Sequence, residues 1–155
     1  FIAATLQDQI EGDRIIAEMR TRIEEIRSLS EAINDKKTVY FEISAAPYMY
    51  SFGKGVFLDE MIEIIGAENL LADQEGWISV SEELILSKNP QVILTNVNYI
   101  ENSVEEIRAR AGWNSVEAVK NGEIYYIDNM SSSLPNHNIV KALEEMLRAV
   151  YPELN

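Results

Sequence analysis

The sequence contains no cysteine and only one histidine, His137, among its 155 residues. Without cysteine the chain has no disulfide, no thiolate metal ligand and no cysteine nucleophile. A site for a bare transition-metal ion usually combines several histidines, cysteines and carboxylates, so we expect none here. Asp128, Ser133 and His137 do not suggest a hydrolase triad, because they lie within ten residues and no nucleophile-elbow motif surrounds a serine. The sequence therefore predicts a protein that is not an enzyme and holds no metal directly.

Basic residues are also scarce, and long hydrophobic runs are missing. The chain has 13 lysines and arginines and 26 acidic residues, which gives a formal net charge of −13. This balance disfavours binding to nucleic acid or anionic lipid, because both require basic patches. The acidic surface either serves solubility alone or docks onto a basic partner, and composition leaves both open. The longest apolar runs, such as residues 92–94, are far short of the roughly 20 residues of a membrane-spanning helix.

The amino-acid composition is that of a globular domain. Hydrophobic residues make up 46% of the chain and charged residues 25%, and the length suits one domain with a substantial core. Residues 13–33 carry isoleucines and a methionine at helical spacing, which predicts a long amphipathic helix with Asp13 near its start.

Beyond this helix, β-rich runs alternate with helical patterns. This alternation predicts parallel strands with helices on both faces of the sheet. The expected fold is therefore α/β, a three-layer lobe with a mainly parallel sheet flanked by helices and preceded by one long connecting helix. Residues 69–72 are a further short strand candidate, and Ser79 with Glu82 fits a capping box for the second helix. The predicted strands are 38–43, 92–95 and 123–127, and the predicted helices are 55–65, 79 or 81 to 88, 103–111, 116–120 and 138–150.

Several short motifs occur in a characteristic order. They are Gly-Lys-Gly at 53–55, Gly-Ala-Glu-Asn at 66–69, Trp77 followed six residues later by Glu83, Asn-Pro-Gln-Val-Ile-Leu at 89–94, Ala-Val-Lys-Asn-Gly at 118–122 and Ala-Leu-Glu at 142–144. Together they resemble the class III substrate-binding proteins of ABC importers, which carry cobalamin, ferric siderophores and haem. Proteins of this family consist of two α/β lobes joined by a long helix, with the ligand between the lobes.

The resemblance implies a domain arrangement and a function. Residues 1–35 correspond to the inter-lobe connecting helix with its lead-in, and residues 36–155 to the C-terminal ligand-binding lobe, with the N-terminal lobe outside this chain. The implied function is extracytoplasmic capture of cobalamin or a ferric siderophore, without a resident cofactor, for delivery to an ABC importer. The implied location is periplasmic or lipid-anchored, with any anchor outside this chain. The alternatives are a haem-binding member of the family and a doubly wound cytoplasmic domain that acts as an interaction module.

Candidate ligand-binding residues follow from the resemblance and from the rule that open α/β sheets bind ligands beyond the carboxyl ends of their strands. The rule nominates loops 46–52, 74–77, 97–99 and 129–134. Family members that bind cobalamin place an aromatic residue at the position of Trp77, although a tryptophan packed into its own lobe is an equal alternative. The proposed ligand-binding residues are Trp77, Tyr48, Tyr50, Met130 and Ser131. Core packing for Tyr48 and a plain turn for residues 130–133 are the alternatives, whereas Trp113 is expected in the core.

Glu83 is the candidate for docking to the permease. In the family, a glutamate on each lobe enters arginine pockets of the permease, and Glu83 matches the glutamate of the C-terminal lobe. The alternative is that Glu82 and Glu83 are acids at a helix N-terminus, where the helix dipole favours them. Among ligands, Trp77 and the small number of basic residues favour cobalamin over anionic siderophores.

Overall fold

A computed structural model describes residues 2–128 and 139–154, with side chains described from residue 12 onward. The helices are α1 (Ile2–Ser30), α2 (Phe57–Ile64), α3 (Glu82–Lys88), α4 (Ser103–Arg108), α5 (Glu117–Lys120) and α6 (Ile139–Val150), with 3-10 turns at Trp113–Ser115 and Pro152–Leu154. The strands are β1 (Thr38–Glu42), β2 (Tyr50–Phe52), β3 (Glu68–Asn69), β4 (Trp77–Ser79), β5 (Val92–Thr95) and β6 (Ile124–Tyr126).

Four of these strands form one parallel sheet in the order β3-β1-β5-β6. In its centre Tyr40 is aligned with Ile93, and Ile93 with Ile124. Strands β2 and β4 form a separate antiparallel ribbon, in which Tyr50 is aligned with Ser79 and Phe52 with Trp77. The α/β class and the parallel sheet predicted from the sequence are therefore confirmed.

The sheet separates two hydrophobic layers, because successive side chains of a strand point to opposite faces. Val39 and Phe41 of β1 face the layer formed by α1, α2 and α6, where Ile26 of α1 is fully buried. Tyr40 faces the other layer, which contains Trp113 and Ile85 and is covered by α3, α4 and α5. Helices on both faces confirm the predicted three-layer lobe.

The long helix α1 begins much earlier than predicted. It extends from Ile2 to Ser30, whereas the sequence pattern suggested residues 13–33 with Asp13 near the start. The residues before Asp13 contain no proline, and Ile2, Leu6 and Ile10 continue an apolar repeat of four residues. Gly12 is accommodated within the helix and does not end it.

Three predictions between residues 69 and 81 differ from the structure in part. The short strand expected at 69–72 is Glu68–Asn69, and Trp77–Ser79 forms β4 where a loop was expected. Because Ser79 belongs to β4, it does not cap α3. Ser81 is the cap, and its hydroxyl oxygen accepts a hydrogen bond from the Leu84 amide at 3.2 Å. The strand character of Trp77–Ser79 comes from pairing with a distant segment, which local sequence does not reveal.

Gly53 joins the ribbon to the loop before Trp77. The Gly53 amide donates to the Gly76 carbonyl at 2.9 Å, and the Lys54 amide donates to the Gln74 carbonyl at 2.8 Å. A Cβ atom on Gly53 would lie 2.1 Å from the Gln74 carbonyl oxygen, so only glycine fits without displacing that backbone.

We predict that Gly53→Ala lowers the free energy of unfolding by more than about 2 kcal/mol, since overpacking against rigid backbone costs about 1–3 kcal/mol or more. The matched control is Gly12→Ala within α1, where a Cβ atom meets nothing within 4 Å. That change should raise stability by about 0.5–1 kcal/mol. Urea unfolding followed by circular dichroism measures both, and equal effects of the two variants would contradict the close packing of Gly53.

Candidate functional site

The carboxyl ends of β1, β5 and β6 lie at the same edge of the parallel sheet. The ribbon of β2 and β4 follows β1 at this edge, because the Ile43 amide donates to the Tyr50 carbonyl at 3.0 Å. Five exposed aromatic residues come from these segments, and together we call them the aromatic edge. They are Tyr48 (78% exposed), Tyr99 (67%), Trp77 (53%), Tyr126 (45%) and Tyr50 (44%).

The side chain of Trp77 packs against one neighbouring ring and is otherwise largely exposed to solvent. It lies opposite Phe52 in the ribbon, with the ring centroids 5.8 Å apart and the planes nearly perpendicular. Phe52 is itself fully buried and contacts Phe41 of the central strand at 5.7 Å. Tyr50 is a diagonal neighbour of Trp77 on the same face of the ribbon. The indole of Trp77 therefore packs against a ring that belongs to the core.

Tyr99 is fixed by its hydroxyl group rather than by burial of its ring. The hydroxyl oxygen accepts a hydrogen bond from the Ala45 amide at 2.8 Å and lies 3.4 Å from the Ser44 hydroxyl. The phenol oxygen is thus bound to the segment after β1, and the ring is left exposed. Tyr99 lies in one of the loops nominated from the sequence but was not among the chosen site residues. Tyr126 was missed, although an aromatic residue at the carboxyl end of a predicted strand was an available signal.

A buried ion pair lies beneath this edge. Glu42, the last residue of β1, accepts two hydrogen bonds from the Arg110 guanidinium, each 2.8 Å long. The two side chains are 1% and 5% exposed. Arg110 also donates to Glu106, and its guanidinium carbon lies 4.6 Å from the ring centroid of Trp113. The charge of Arg110 is therefore satisfied entirely within the lobe.

The same network shifts the pKa values of its members. Burial raises the pKa of Glu42, and the hydrogen bonds and charge of Arg110 oppose that rise. Burial disfavours the charge on Arg110, but the bonds to Glu42 and Glu106 outweigh burial and raise the Arg110 pKa. Burial, with the neighbouring Glu42 charge, also raises the pKa of Tyr40, whose hydroxyl donates to Glu42 at 3.1 Å. Arg110 is therefore the group that keeps Glu42 ionised in the interior.

We predict that Arg110→Met destabilises the fold by about 3–5 kcal/mol at neutral pH, because it leaves the Glu42 carboxylate buried without its partner. Removing Arg110 also removes the influence that lowers the Glu42 pKa, so this pKa rises further above its value in the unfolded chain. Ionisation of Glu42 then costs stability, and the loss should be largest at pH 7.5 and smaller near pH 5.

Urea unfolding at the two pH values measures this difference. Arg148→Met, at an exposed arginine of α6, is the matched control and should change stability by less than about 0.5 kcal/mol at both. A loss for Arg110→Met that is the same at pH 5 and 7.5 would contradict the role given to Glu42.

Two concave regions of the described residues differ in their relation to the aromatic edge. A cavity of about 380 Å³ opens beside Tyr126, and Asn98, Glu101 and Ser103 are among its lining residues. A larger hollow of about 840 Å³ lies along α1 between Arg20 and Leu29, but only residues of this single helix line it. Because the first adjoins the aromatic edge and the second is the open side of one helix, the first belongs to the candidate site.

The structure brings together three of the predicted ligand-binding residues. Tyr48, Tyr50 and Trp77 all belong to the aromatic edge, and Tyr48 is too exposed to be a core residue. Trp113 is fully buried, as predicted. Met130 and Ser131, with the rest of the predicted 129–134 loop, lie outside the described residues.

Glu83 is exposed in the first turn of α3, next to exposed Glu82. Its position leaves the carboxylate accessible to a partner. Among the residues whose side chains are described, no three histidine or carboxylate side chains are grouped to hold a metal ion. No described helix is long and apolar enough to cross a membrane.

Comparisons with known proteins agree on one family. The family model described as periplasmic binding protein matches residues 2–130. The chain is 30% identical to the ABC transporter substrate-binding lipoprotein YvrC of Bacillus subtilis over 92% of this chain and 45% of YvrC. It is 26% identical to a vitamin B12-binding protein of Vibrio cholerae over 87% of this chain and 48% of that protein.

Solved structures give the same fold. A possible iron-binding periplasmic solute-binding protein of Staphylococcus epidermidis superposes with a TM-score of 0.81 at 27% identity, over 97% of this chain and 58% of that one. The relatives are solute-binding proteins and not enzymes. The chain spans about half the length of the curated relatives it matches.

Proposed function

Because the chain belongs to the periplasmic binding protein family, we propose that it is the C-terminal half of an extracytoplasmic substrate-binding protein. This protein captures a metal chelate, either cobalamin or a ferric siderophore, and delivers it to an ABC importer. The metal arrives within the chelate, and the protein has no resident cofactor. The vitamin B12-binding and possible iron-binding relatives support this ligand class.

The observation that carries the proposal is the aromatic edge. Exposed aromatic rings are costly to leave in water, and here five of them come from segments at the carboxyl side of one sheet. Trp77 and Tyr99 are held by Phe52 and Ala45, so their exposed faces are already ordered before a ligand arrives. Broad, rigid aromatic faces suit the flat edge of a corrin or the apolar ribs of a siderophore chelate.

The division of the chain follows from the same proposal. Residues 1–35 contain α1 and form the connecting helix with its lead-in, and residues 36–155 form the ligand-binding lobe. Ile26 anchors α1 in the core of the lobe, whereas Ile15 and Ile16 are 42% and 49% exposed. A helix that is anchored at one end and carries exposed isoleucines towards the other is suited to reach a second lobe.

We predict that Trp77→Ala weakens chelate binding by about 1–3 kcal/mol, because the variant loses a rigid stacking face. The measurement is isothermal titration of the full-length protein with cyanocobalamin and with ferrioxamine B. Trp77→Phe is the matched control, since it keeps an aromatic ring against Phe52 and should recover part of the affinity. Thermal unfolding of each variant separates loss of binding from loss of fold.

Unchanged affinity in Trp77→Ala would assign the indole to packing of the ribbon alone. If the parent protein bound none of the cobalamin, siderophore and haem chelates, the proposed function itself would be rejected.

Glu83 is proposed as the contact of this lobe with the permease. Its carboxylate is exposed on a short helix whose start is ordered by the Ser81 cap. An exposed carboxylate in the first turn of a capped helix suits charge-assisted hydrogen bonds to arginine. The extracytoplasmic location belongs to the same proposal, and the lipoprotein name of YvrC supports a lipid anchor.

We predict that Glu83→Arg abolishes uptake by the transporter while leaving the affinity for the chelate unchanged, because the reversed charge repels arginine pockets. Uptake of labelled chelate in cells and titration of the purified full-length protein measure the two effects. Glu82→Arg, one residue away with the same charge change, is the control and should retain most of the uptake. Loss of both affinity and uptake in Glu83→Arg would show a structural role instead.

A further inference from the structure

A buried asparagine lies behind the ribbon that carries Trp77. Asn69 ends β3 and belongs to the Gly-Ala-Glu-Asn motif, to which the proposed function assigns no role. Its Nδ2 atom donates to the Phe52 carbonyl at 3.1 Å and to Asp59 Oδ1 at 2.9 Å. Its Oδ1 atom accepts a hydrogen bond from the Leu71 amide at 3.1 Å. Asn69 and Asp59 are both buried, so these bonds are made away from water.

The bonds of Asn69 hold both chain segments that meet at Trp77. Phe52 is aligned with Trp77 across the ribbon, and its ring is the surface against which the indole packs. Leu71 begins the segment 71–76, which leads directly into β4. One side-chain amide therefore ties the end of β2 and the chain before β4 to the edge of the parallel sheet.

The ribbon itself does not supply a donor for the Phe52 carbonyl. Carbonyl groups two residues apart in a strand point to the same side, and the Tyr50 carbonyl accepts from the Ile43 amide instead of from β4. The Phe52 carbonyl thus also points away from β4, towards Asn69. Without the Asn69 amide this buried carbonyl would lack a hydrogen bond, which is unfavourable unless the backbone shifts to find another donor.

We propose that Asn69 is a positioning residue for chelate binding, an inference that rests on the proposed function. Asn69 is buried and acts through Phe52 and the chain before β4, which set the place of the Trp77 indole. When the end of the ribbon shifts, the indole no longer lies where it meets the chelate. A misplaced contact surface loses affinity even in a lobe that remains folded.

An exchange of the two buried side chains separates this role from general stability. The variant Asn69→Asp with Asp59→Asn keeps the net charge and can remake the hydrogen bond between positions 59 and 69. The carboxylate at position 69 still accepts from the Leu71 amide, but it has no proton to donate to the Phe52 carbonyl. Asp59→Asn alone is the matched control, because Asn69 then keeps its bond to Phe52.

The test is isothermal titration of the full-length protein at pH 8, where a carboxyl group at position 69 is ionised. Cyanocobalamin and ferrioxamine B are the probes, and the one that the parent protein binds more tightly is used for the variants. We expect the exchange variant to bind about tenfold more weakly than the parent, and Asp59→Asn to bind within about twofold of it. Thermal unfolding of each variant shows that the titrated protein is folded.

Two further variants test the route of the effect. Asn69→Ala removes the bond to Phe52 without placing a carboxylate there, and it should lose as much affinity as the exchange variant. In a Trp77→Ala background, Asn69→Ala should cause little additional loss, because the surface that Asn69 positions is already absent. A residue that only stabilised the lobe would not show this dependence on Trp77.

Parent affinity in a folded exchange variant or in folded Asn69→Ala would overturn the inference and leave the proposed function intact. An equal loss in Asp59→Asn, or a full additional loss in the Trp77→Ala background, would also overturn it, since the effect would then not pass through Phe52 and Trp77. A parent protein that binds none of the cobalamin, siderophore and haem chelates would instead remove the proposed function. The two failures are therefore distinguishable.

Discussion

The carboxyl end of the central strand β1 is the point on which the candidate site depends. The Ser51 hydroxyl donates to the Phe41 carbonyl at 2.7 Å, which ties the ribbon to β1. The Thr95 hydroxyl donates to the Glu42 carbonyl at 3.0 Å, which ties the end of β5 to the same place. The Glu42 side chain is held by Arg110. The ribbon and the end of β5 therefore share an anchor of two residues, Phe41 and Glu42, and their relative positions follow from it.

Burying the Glu42–Arg110 ion pair at this anchor carries a large desolvation cost. Only close, well-aligned hydrogen bonds can offset that cost. The Arg110 guanidinium donates two parallel hydrogen bonds to Glu42 and further hydrogen bonds to Glu106. It also lies against the face of Trp113. The same arrangement withholds the arginine from any ligand. Arg110 therefore orders the edge from within the lobe and is not exposed at its surface.

The sequence was informative where local pattern and tertiary structure agree. The apolar runs that became β1 and β5 lie at the centre of a parallel sheet and are buried on both faces, where continuous hydrophobic sequence is expected. Strands β2 and β4 were not predicted, because each has three residues and its partner lies 25 or more residues away. Tyr48 and Tyr50 were chosen from the rule that ligands bind beyond the carboxyl ends of strands, and Trp77 from family resemblance, but the contact of Trp77 with Phe52 was not visible in the sequence. A lone glutamate ending an apolar strand, Glu42, was the available sign that a buried cation existed.

The segment from Trp77 to Glu83 joins the two proposed surfaces. Between them, the Val80 amide donates to the Met49 carbonyl at 3.0 Å, so this segment is bonded to the loop that carries Tyr48. Ser81 then orders the first turn of α3, on which Glu83 lies. These bonds set the position of the first turn of α3 relative to the strand that carries Trp77. Under the proposed function, the residue that contacts the ligand and the residue that docks to the permease therefore lie on one continuous, bonded segment of the lobe.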